Sequence, residues 1–145
     1  MGYSLSLSSG GNTLLATSIA QRRLFSSDWD YVLMDDVHIF IYERNDSGDL
    51  ELMQTLLIHC ENEEIEIPVS LYLADDAFIV GLPWLAYETY RGHAHIYERS
   101  GETAMYERVA NLVSPADPND DDAFGVAVAL SQDLAFVGTL LYLNS

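Results

Sequence analysis

The strongest constraint on this fold is that the sequence repeats itself. The tetrapeptide Ile-Tyr-Glu-Arg at 41–44 recurs at 96–99, a shift of 55 positions. At a shift of 57, segment 67–81 (IPVSLYLADDAFIVG) aligns with segment 124–138 (FGVAVALSQDLAFVG). Segment 1–18 has the same pattern with one extra residue in its turn. Matched segments at nearly one spacing indicate a structural unit that is used more than once.

Each unit has the pattern of four short strands. Segments 68–74 and 125–131 alternate bulky and small residues with period two, and a second apolar run follows a short turn, which is typical of a hairpin. The two Ile-Tyr-Glu-Arg segments likewise turn into further apolar stretches, and no helical period is found. The sequence therefore predicts an all-β chain of four-stranded antiparallel sheets. We expect 37–58 to superimpose on 92–113 without a gap.

The length of the unit favours one architecture. Four-stranded sheets repeated every 40–60 residues or so are typical of a β-propeller, whereas tandem β-sandwich domains need about 100 residues each. We predict a β-propeller fragment with complete blades at 1–66 and 67–123, and the first hairpin of a third blade at 124–145. Propellers close with about 4–8 blades, so the chain is either a piece of a longer protein or covers its open edges by assembling.

The repeated residues resemble the FG-GAP family, the seven-bladed propeller repeats of integrin α-subunit heads and many bacterial and algal surface proteins. The resemblance is clearest at 92–139, where 92–99 is similar to the family strand Gly-Ser-Ala-Tyr-Val-Phe-Glu-Arg. Phe124-Gly125 stands as the Phe-Gly pair, and Gly138-Thr139 stands where Gly-Ala-Pro would begin. A glycine at such positions allows close backbone approach because it lacks a Cβ.

The other two units depart further from the family pattern. In the middle unit Gly81-Leu82-Pro83 keeps the closing Gly and Pro, while Ile67-Pro68 replaces Phe-Gly. In the first unit Met1-Gly2 keeps only the Gly, and Ala16-Thr17-Ser18 has lost Gly-Ala-Pro. The resemblance is therefore weakest in the first unit.

The resemblance implies a non-enzymatic interaction module that binds a protein or a glycan at a cell surface or outside the cell. Two alternatives stay open: accessory blades of a larger secreted hydrolase or lyase, and a purely structural assembly fragment. The first residues, Met-Gly-Tyr-Ser-Leu-Ser, lack the basic and apolar regions of a secretory signal, so this chain shows no signal peptide of its own.

Charge and hydropathy narrow the set of partners. Six basic against 23 acidic side chains give a formal charge of −17, which repels nucleic acid and anionic lipid. No apolar run reaches the roughly 18–20 residues that span a membrane, so membrane insertion is not expected. Cations and basic protein surfaces remain plausible partners, and the open blade edges offer a surface for self-association.

The sequence offers two candidate metal sites, an acidic cluster and a pair of histidines, while the calcium loop of the FG-GAP family is missing. The family calcium loop needs about nine residues or more to gather six to eight oxygens, and the first hairpin of each unit here is shorter, so we expect no cofactor there. An acidic cluster before the third unit could gather calcium, although these residue types also favour a solvated turn. Its members are Asp117, Asn119, Asp120, Asp121 and Asp122. His93 and His95 share one face of a strand, but His93 repeats His38, which favours an architectural role.

Recognition residues are expected in two loops, 19–36 and 82–91. The sequence has no nucleophile elbow, zinc-protease motif or phosphate loop, so no catalytic residue is predicted. The extra length of the first unit is expected in loop 19–36, apart from one residue in the Gly10-Gly11 turn. Aromatic residues and arginine, which are enriched in binding hot spots, mark both loops, although packing against neighbouring blades would also explain them. These are Arg22, Arg23, Trp29, Tyr31, Trp84, Tyr87, Tyr90 and Arg91.

Overall fold

The described part of the chain is built of β-strands. The computed structural model describes residues 2–25, 31–59, 69–83, 92–115, 123–131 and 133–140, and these ranges contain no helix, so none that could cross a membrane. The strands are β1 (Gly2–Leu7), β2 (Thr13–Phe25), β3 (Tyr31–Arg44), β4 (Leu50–His59), β5 (Ser70–Ala74), β6 (Ala77–Leu82), β7 (His93–Arg99), β8 (Tyr106–Val113), β9 (Ala127–Leu130) and β10 (Ala135–Gly138).

The strands form three antiparallel sheets in chain order. The first sheet has the strand order β1-β2-β3-β4, and the second sheet has the order β5-β6-β7-β8. The third sheet contains only β9 and β10, and we refer to it as the third hairpin because it belongs to the third repeat unit. Every neighbouring pair in these sheets is antiparallel and consecutive in sequence. The predicted all-β chain with two four-stranded antiparallel sheets and a further hairpin is confirmed.

The second sheet is covered on both of its faces, because apolar residues alternate along β6. Phe78 and Val80 belong to a buried cluster that includes Leu15, Ile39 and other residues of the first sheet. Ile79, which lies between them in sequence, packs instead with Phe124 and the third hairpin. Successive side chains of a strand point to opposite faces, so β6 contributes to two apolar layers. The three sheets are therefore held together by two separate cores.

The inner hairpins keep the register that the repeat predicts. Ser70 pairs with Gly81 in β5–β6, and Ala127 pairs with Gly138 in β9–β10. Both partners are displaced by the same 57 positions, so the two hairpins are equivalent residue for residue. The alignment of these segments is confirmed.

The outer hairpins share a β-bulge but differ in the length of their turns. The register shifts after Ile41 in β3–β4 and after Ile96 in β7–β8, which are 55 positions apart. Arg44 pairs with Leu50, whereas Arg99 pairs with Tyr106, so the second turn has one more residue. The prediction of a gap-free superposition is wrong. The longer turn places Ala104 at φ 58°, in the left-handed region, where it donates to the Ser100 carbonyl at 2.9 Å.

The extra length of the first unit forms strand, not loop. The predicted loop 19–36 is wrong, because β2 continues to Phe25 and β3 begins at Tyr31, with Phe25 and Tyr31 in register. Backbone pairing along this long hairpin satisfies the polar groups that a loop would leave to solvent. The β1–β2 turn is also longer than predicted. Four residues separate Ser8 from Thr13 in this turn, and two separate Ala74 from Ala77 in the β5–β6 turn. The difference is therefore two residues, whereas the sequence predicted one.

Glycines allow the third hairpin to approach the second sheet closely. A Cβ on Gly92 would lie 1.6 Å from the Phe124 carbonyl oxygen, and one on Gly81 would lie 2.0 Å from the Gly125 carbonyl oxygen. Gly125 itself has φ +100°, a conformation that L side chains rarely adopt. Ser70 Oγ also donates to the Gly125 carbonyl at 2.7 Å. The Phe124-Gly125 turn therefore rests directly on backbone that only glycine leaves open.

Candidate functional site

Most of the recognition and metal residues predicted from the sequence lie outside the described residues. This applies to Trp29, Trp84, Tyr87, Tyr90 and Arg91, and to the acidic cluster Asp117, Asn119, Asp120, Asp121 and Asp122. Arg22 and Arg23 lie in β2, and Tyr31 begins β3. These three are strand residues, and their assignment to a loop is corrected.

The histidine pair predicted to share a face lies on β7 of the second sheet. The His93 and His95 rings are 6.5 Å apart between centroids and nearly perpendicular. His93 Nδ1 lies 3.3 Å from Asn111 Oδ1, within hydrogen-bond distance. The described residues bring together no group of three or more His, Cys, Asp or Glu side chains suited to a metal ion. Arg108, whose positive charge acts on His95, opposes a cation at this pair.

These histidines line an open groove between the first and second sheets. Its volume is about 670 Å³, within the range of about 300–1,000 Å³ that is usual for small-molecule sites. Leu56 and Ile58 of β4 form an apolar wall on one side. The opposite wall carries polar side chains of β7 and β8, namely His93, His95, Tyr97, Tyr106, Glu107, Arg108 and Asn111. The groove therefore lies between the apolar side chains of β4 and the polar surface that β7 and β8 form.

A β-bulge brings the polar residues of β8 to the groove. Arg108 and Asn111 are three positions apart, so a regular strand would direct them to opposite faces. The register shift between Ile96 and Tyr97 adds one residue to β8, after which Arg108 pairs with Tyr97 and Asn111 pairs with His95. A bulge redirects the side chains that follow it. Both Arg108 and Asn111 therefore line the same groove.

Two buried polar atoms at the groove lack partners. His95 is 3% exposed and Tyr106 is 2% exposed, yet His95 Nδ1 and Tyr106 Oη make no hydrogen bond within the described residues. Buried polar atoms in proteins are nearly always hydrogen-bonded, and an unmade bond costs about 1–3 kcal/mol. His95 Nδ1 and Tyr106 Oη are thus two buried hydrogen-bonding atoms without a partner among the described residues.

Both groups are neutral near pH 7. Burial lowers the pKa of His95 to about 4, with smaller contributions in the same direction from Arg108 and His93. Burial is also the main cause that raises the pKa of Tyr106; Glu43 and Asp76 act in the same direction and Arg99 opposes them. A neutral imidazole and a phenol can each donate and accept hydrogen bonds.

Arg108 differs from the other arginines whose side chains are described. The Arg44 guanidinium donates to the carbonyl oxygens of Gly11 and Gly48, which ties down two turns. Arg99 donates to the Ala104 carbonyl and pairs with Glu43 across the two sheets. Arg108 has no such partner within the described ranges. It is therefore the one described guanidinium that is available at the groove.

Reasoning from the sequence missed most of this site. The histidine spacing signalled a shared face on β7, but Tyr106, Arg108 and Asn111 carry no motif. Their first-sheet equivalents are Leu50, Leu52 and Thr55, given the register of the two outer hairpins. The polar wall is therefore special to the second sheet, and a comparison of the two units at the corrected register would have revealed it.

The comparisons with known proteins identified no relative of this chain. No family model matches the chain, and neither characterised proteins nor solved structures gave a match. The function proposed below therefore depends on the described residues and on the family resemblance of the repeat.

Proposed function

We propose that this chain is a segment of an FG-GAP-like β-propeller and serves as a non-enzymatic interaction module at a cell surface or outside the cell. The sheets support this proposal because they follow one another in chain order and pack face to face. Each complete sheet is antiparallel and four-stranded, as propeller blades are. The extracellular setting comes from the family resemblance alone.

The observation that carries the proposal is a series of equivalent residues on one face. Leu15, Ile79 and Phe136 occupy the same position in β2, β6 and β10, as their cross-strand partners show. Leu15 is fully buried in the cluster shared with the second sheet, and Ile79 is fully buried against the third hairpin. Phe136 is 59% exposed. The third hairpin thus presents the surface that a further sheet covers at the two earlier positions.

The opposite face has a matching series. Leu7, Leu73 and Leu130 are equivalent in β1, β5 and β9. Leu73 is buried in the cluster between the first two sheets, and Leu130 packs in the cluster between the second sheet and the third hairpin. Leu7, which has no preceding sheet, is 56% exposed. The two ends of the stack are therefore the two halves of an interface that the chain already builds twice.

The groove supports recognition as the function. Its described residues offer hydrogen-bond donors and acceptors beside an apolar wall, and none of them is a serine or cysteine nucleophile. This combination suits the binding of a protein segment or a glycan.

Sedimentation velocity tests the propeller part of the proposal. The wild-type chain is expected to associate reversibly as its concentration rises. Contact between copies would bury the exposed apolar side chains of Leu7 and Phe136. Changing Leu7→Ser together with Phe136→Ser should leave a folded monomer. Val109→Ser is the control, since Val109 is exposed on β8 of the second sheet, away from both end faces. A wild-type chain that stays monomeric, or an association that survives the double change, would contradict the proposal.

A further inference from the structure

The turn between β3 and β4 contains the sequence Asn45-Asp46-Ser47. An asparagine followed two positions later by serine or threonine, with a residue other than proline between them, is the acceptor motif for N-linked glycosylation. Asn45 is the only asparagine in the sequence that has Ser or Thr at that spacing. A motif this short also arises by chance, so its surroundings in the fold decide whether it can serve as an acceptor.

The motif lies at the tip of an exposed turn. Asp46 and Ser47 are exposed, and Asn45 is partly exposed. A Cβ added to Gly48, the next residue of the turn, would meet no heavy atom within 4 Å. The turn therefore projects into open space, where a bulky sugar can be attached without displacing packed side chains.

The contacts of the Asn45 side chain leave one amide proton for substitution. Asn45 Oδ1 accepts from the N–H of Ser47 at 3.0 Å and from the N–H of Asp49 at 2.9 Å. Asn45 Nδ2 donates to Glu51 Oε1 at 2.6 Å, which is its one hydrogen bond to the described residues. A primary amide carries two N–H groups. A glycosylated Nδ2 would therefore keep one N–H for Glu51, and Oδ1 would keep both of its contacts.

The Ser47 hydroxyl has no structural contact that would explain its presence. Ser47 Oγ makes no hydrogen bond within the described residues, and only the backbone N–H of Ser47 is bonded to Asn45. Serines of the other turns differ. Ser8 and Ser100 each accept from a backbone N–H of their own hairpin, and Ser131 donates to a backbone carbonyl. The fold thus uses Asn45 to close the turn but leaves free the hydroxyl that the acceptor motif requires.

We propose that Asn45 is the acceptor of an N-linked glycan, transferred from an oligosaccharide that is carried on a lipid diphosphate. Asn45 Nδ2 attacks the anomeric carbon of the first sugar, and a C–N bond forms as the bond from that carbon to the diphosphate oxygen breaks. The diphosphate leaves with the electron pair, and a base of the transferase takes the proton that Nδ2 loses. The inference rests on the secretion that the proposed function implies, and it goes beyond that function by assigning a modification site.

Expression in animal cells tests the proposal. The full chain is directed to the secretory pathway by an added signal peptide, and cells and medium are analysed together. We expect a single shift in electrophoretic mobility that peptide N-glycosidase removes, and mass spectrometry should place the sugar on Asn45. A chain without a glycan, or with sugar only at another residue, would overturn the inference. The sedimentation test of the propeller uses unglycosylated chain from bacteria, so its outcome is independent of this one.

Variants in and beside the motif separate glycosylation from folding. Ser47→Ala removes the hydroxyl but keeps the backbone N–H that Asn45 Oδ1 accepts from, so it should abolish the glycan and preserve the turn. Ser47→Thr keeps the motif and should keep the glycan. Asn12→Gln is the matched control, because Asn12 is exposed in the neighbouring β1–β2 turn and is not part of a motif. A glycan that survives Ser47→Ala, or is lost in Asn12→Gln, would contradict the assignment.

Thermal unfolding tests whether the folded turn accommodates the sugar. Glycosylated wild type and unglycosylated Ser47→Ala should unfold at the same temperature, because Asn45 keeps its contacts in both and changes at exposed positions have little effect on stability. A glycosylated chain that unfolds at a clearly lower temperature would overturn the inference, since the sugar would then be incompatible with the turn.

Discussion

The side-chain amide of Gln54 bonds both backbone groups of Tyr106. Gln54 Nε2 donates to the Tyr106 carbonyl oxygen at 2.9 Å, and the Tyr106 N–H donates to Gln54 Oε1 at 2.8 Å. The amide thereby completes a two-bond pair of the kind that a neighbouring strand would make. Gln54 lies in β4 and Tyr106 begins β8, so this contact joins the outer strands of the first and second sheets.

Removal of the Gln54 amide is predicted to weaken the junction between the two sheets. Gln54→Leu leaves both backbone groups of Tyr106 without this partner, and we expect unfolding free energy to fall by about 1–3 kcal/mol. Urea unfolding followed by circular dichroism measures the change. Thr55→Val alters an exposed neighbour in the same strand and should change stability by less than about 0.5 kcal/mol. Equal stability of the two variants would show that the amide contributes nothing.

A methyl group at Gly92 is predicted to disrupt the contact with the third hairpin. The added Cβ would lie 1.6 Å from the Phe124 carbonyl oxygen, so the Phe124-Gly125 turn must move away. Overpacking of this kind costs about 1–3 kcal/mol or more. Gly101→Ala is the matched control, because a Cβ there meets nothing within 4 Å. Thermal unfolding should separate the two variants clearly, and a Gly92→Ala protein as stable as Gly101→Ala would refute the close approach.

Burial of His95 predicts a loss of stability in mild acid. The pKa of His95 is about 4 in the folded chain against 6.5 for a free side chain, so the unfolded state binds the proton first as pH falls. Its contribution is therefore constant above pH 6.5, falls between pH 6.5 and 4, and is constant again below pH 4. The total loss is about 2 kcal/mol, because solvent at the open groove screens part of the effect.

The variant His95→Phe isolates this contribution from that of the many carboxylates. Phenylalanine stands at the equivalent position 40 of the first sheet, so the ring is compatible with this place on the strand. The difference in unfolding free energy between wild type and His95→Phe should change by about 2 kcal/mol between pH 7 and pH 4. A difference that does not depend on pH would mean that His95 is not buried in its neutral form.

The strands could be predicted because their signals are local. Alternation and short turns determine the β5–β6 and β9–β10 hairpins, and the 57-position equivalence holds at every described pair. The long β2–β3 hairpin could not be predicted, since its sequence after Ile19 carries arginine, serine and aspartate, which resemble a loop. Pairing in register with the partner strand overrides that local composition.

The groove could not be predicted, because it depends on register. One extra residue in β8, Val109, directs Arg108 and Asn111 to the same face. A valine is common in regular strands, so the residue type does not indicate a bulge. The unpartnered atoms of His95 and Tyr106 become visible only when two sheets are packed together. Sequence patterns thus predicted the sheets. They did not predict the groove, because it is formed by contacts between the sheets.

Cross-linking between copies tests most directly whether the ends of the stack are two halves of one interface. Single-cysteine variants Leu7→Cys and Phe136→Cys, each in a Cys60→Ser background, are mixed and treated with a short bismaleimide, since Cys60 is the sole native cysteine. We predict that cross-links form between the two variants and far less within either one, because equivalent contacts join Leu73 and Leu15 in one cluster. Equal yields of cross-links between two copies of the same variant, or no cross-links at all, would contradict the repeated interface.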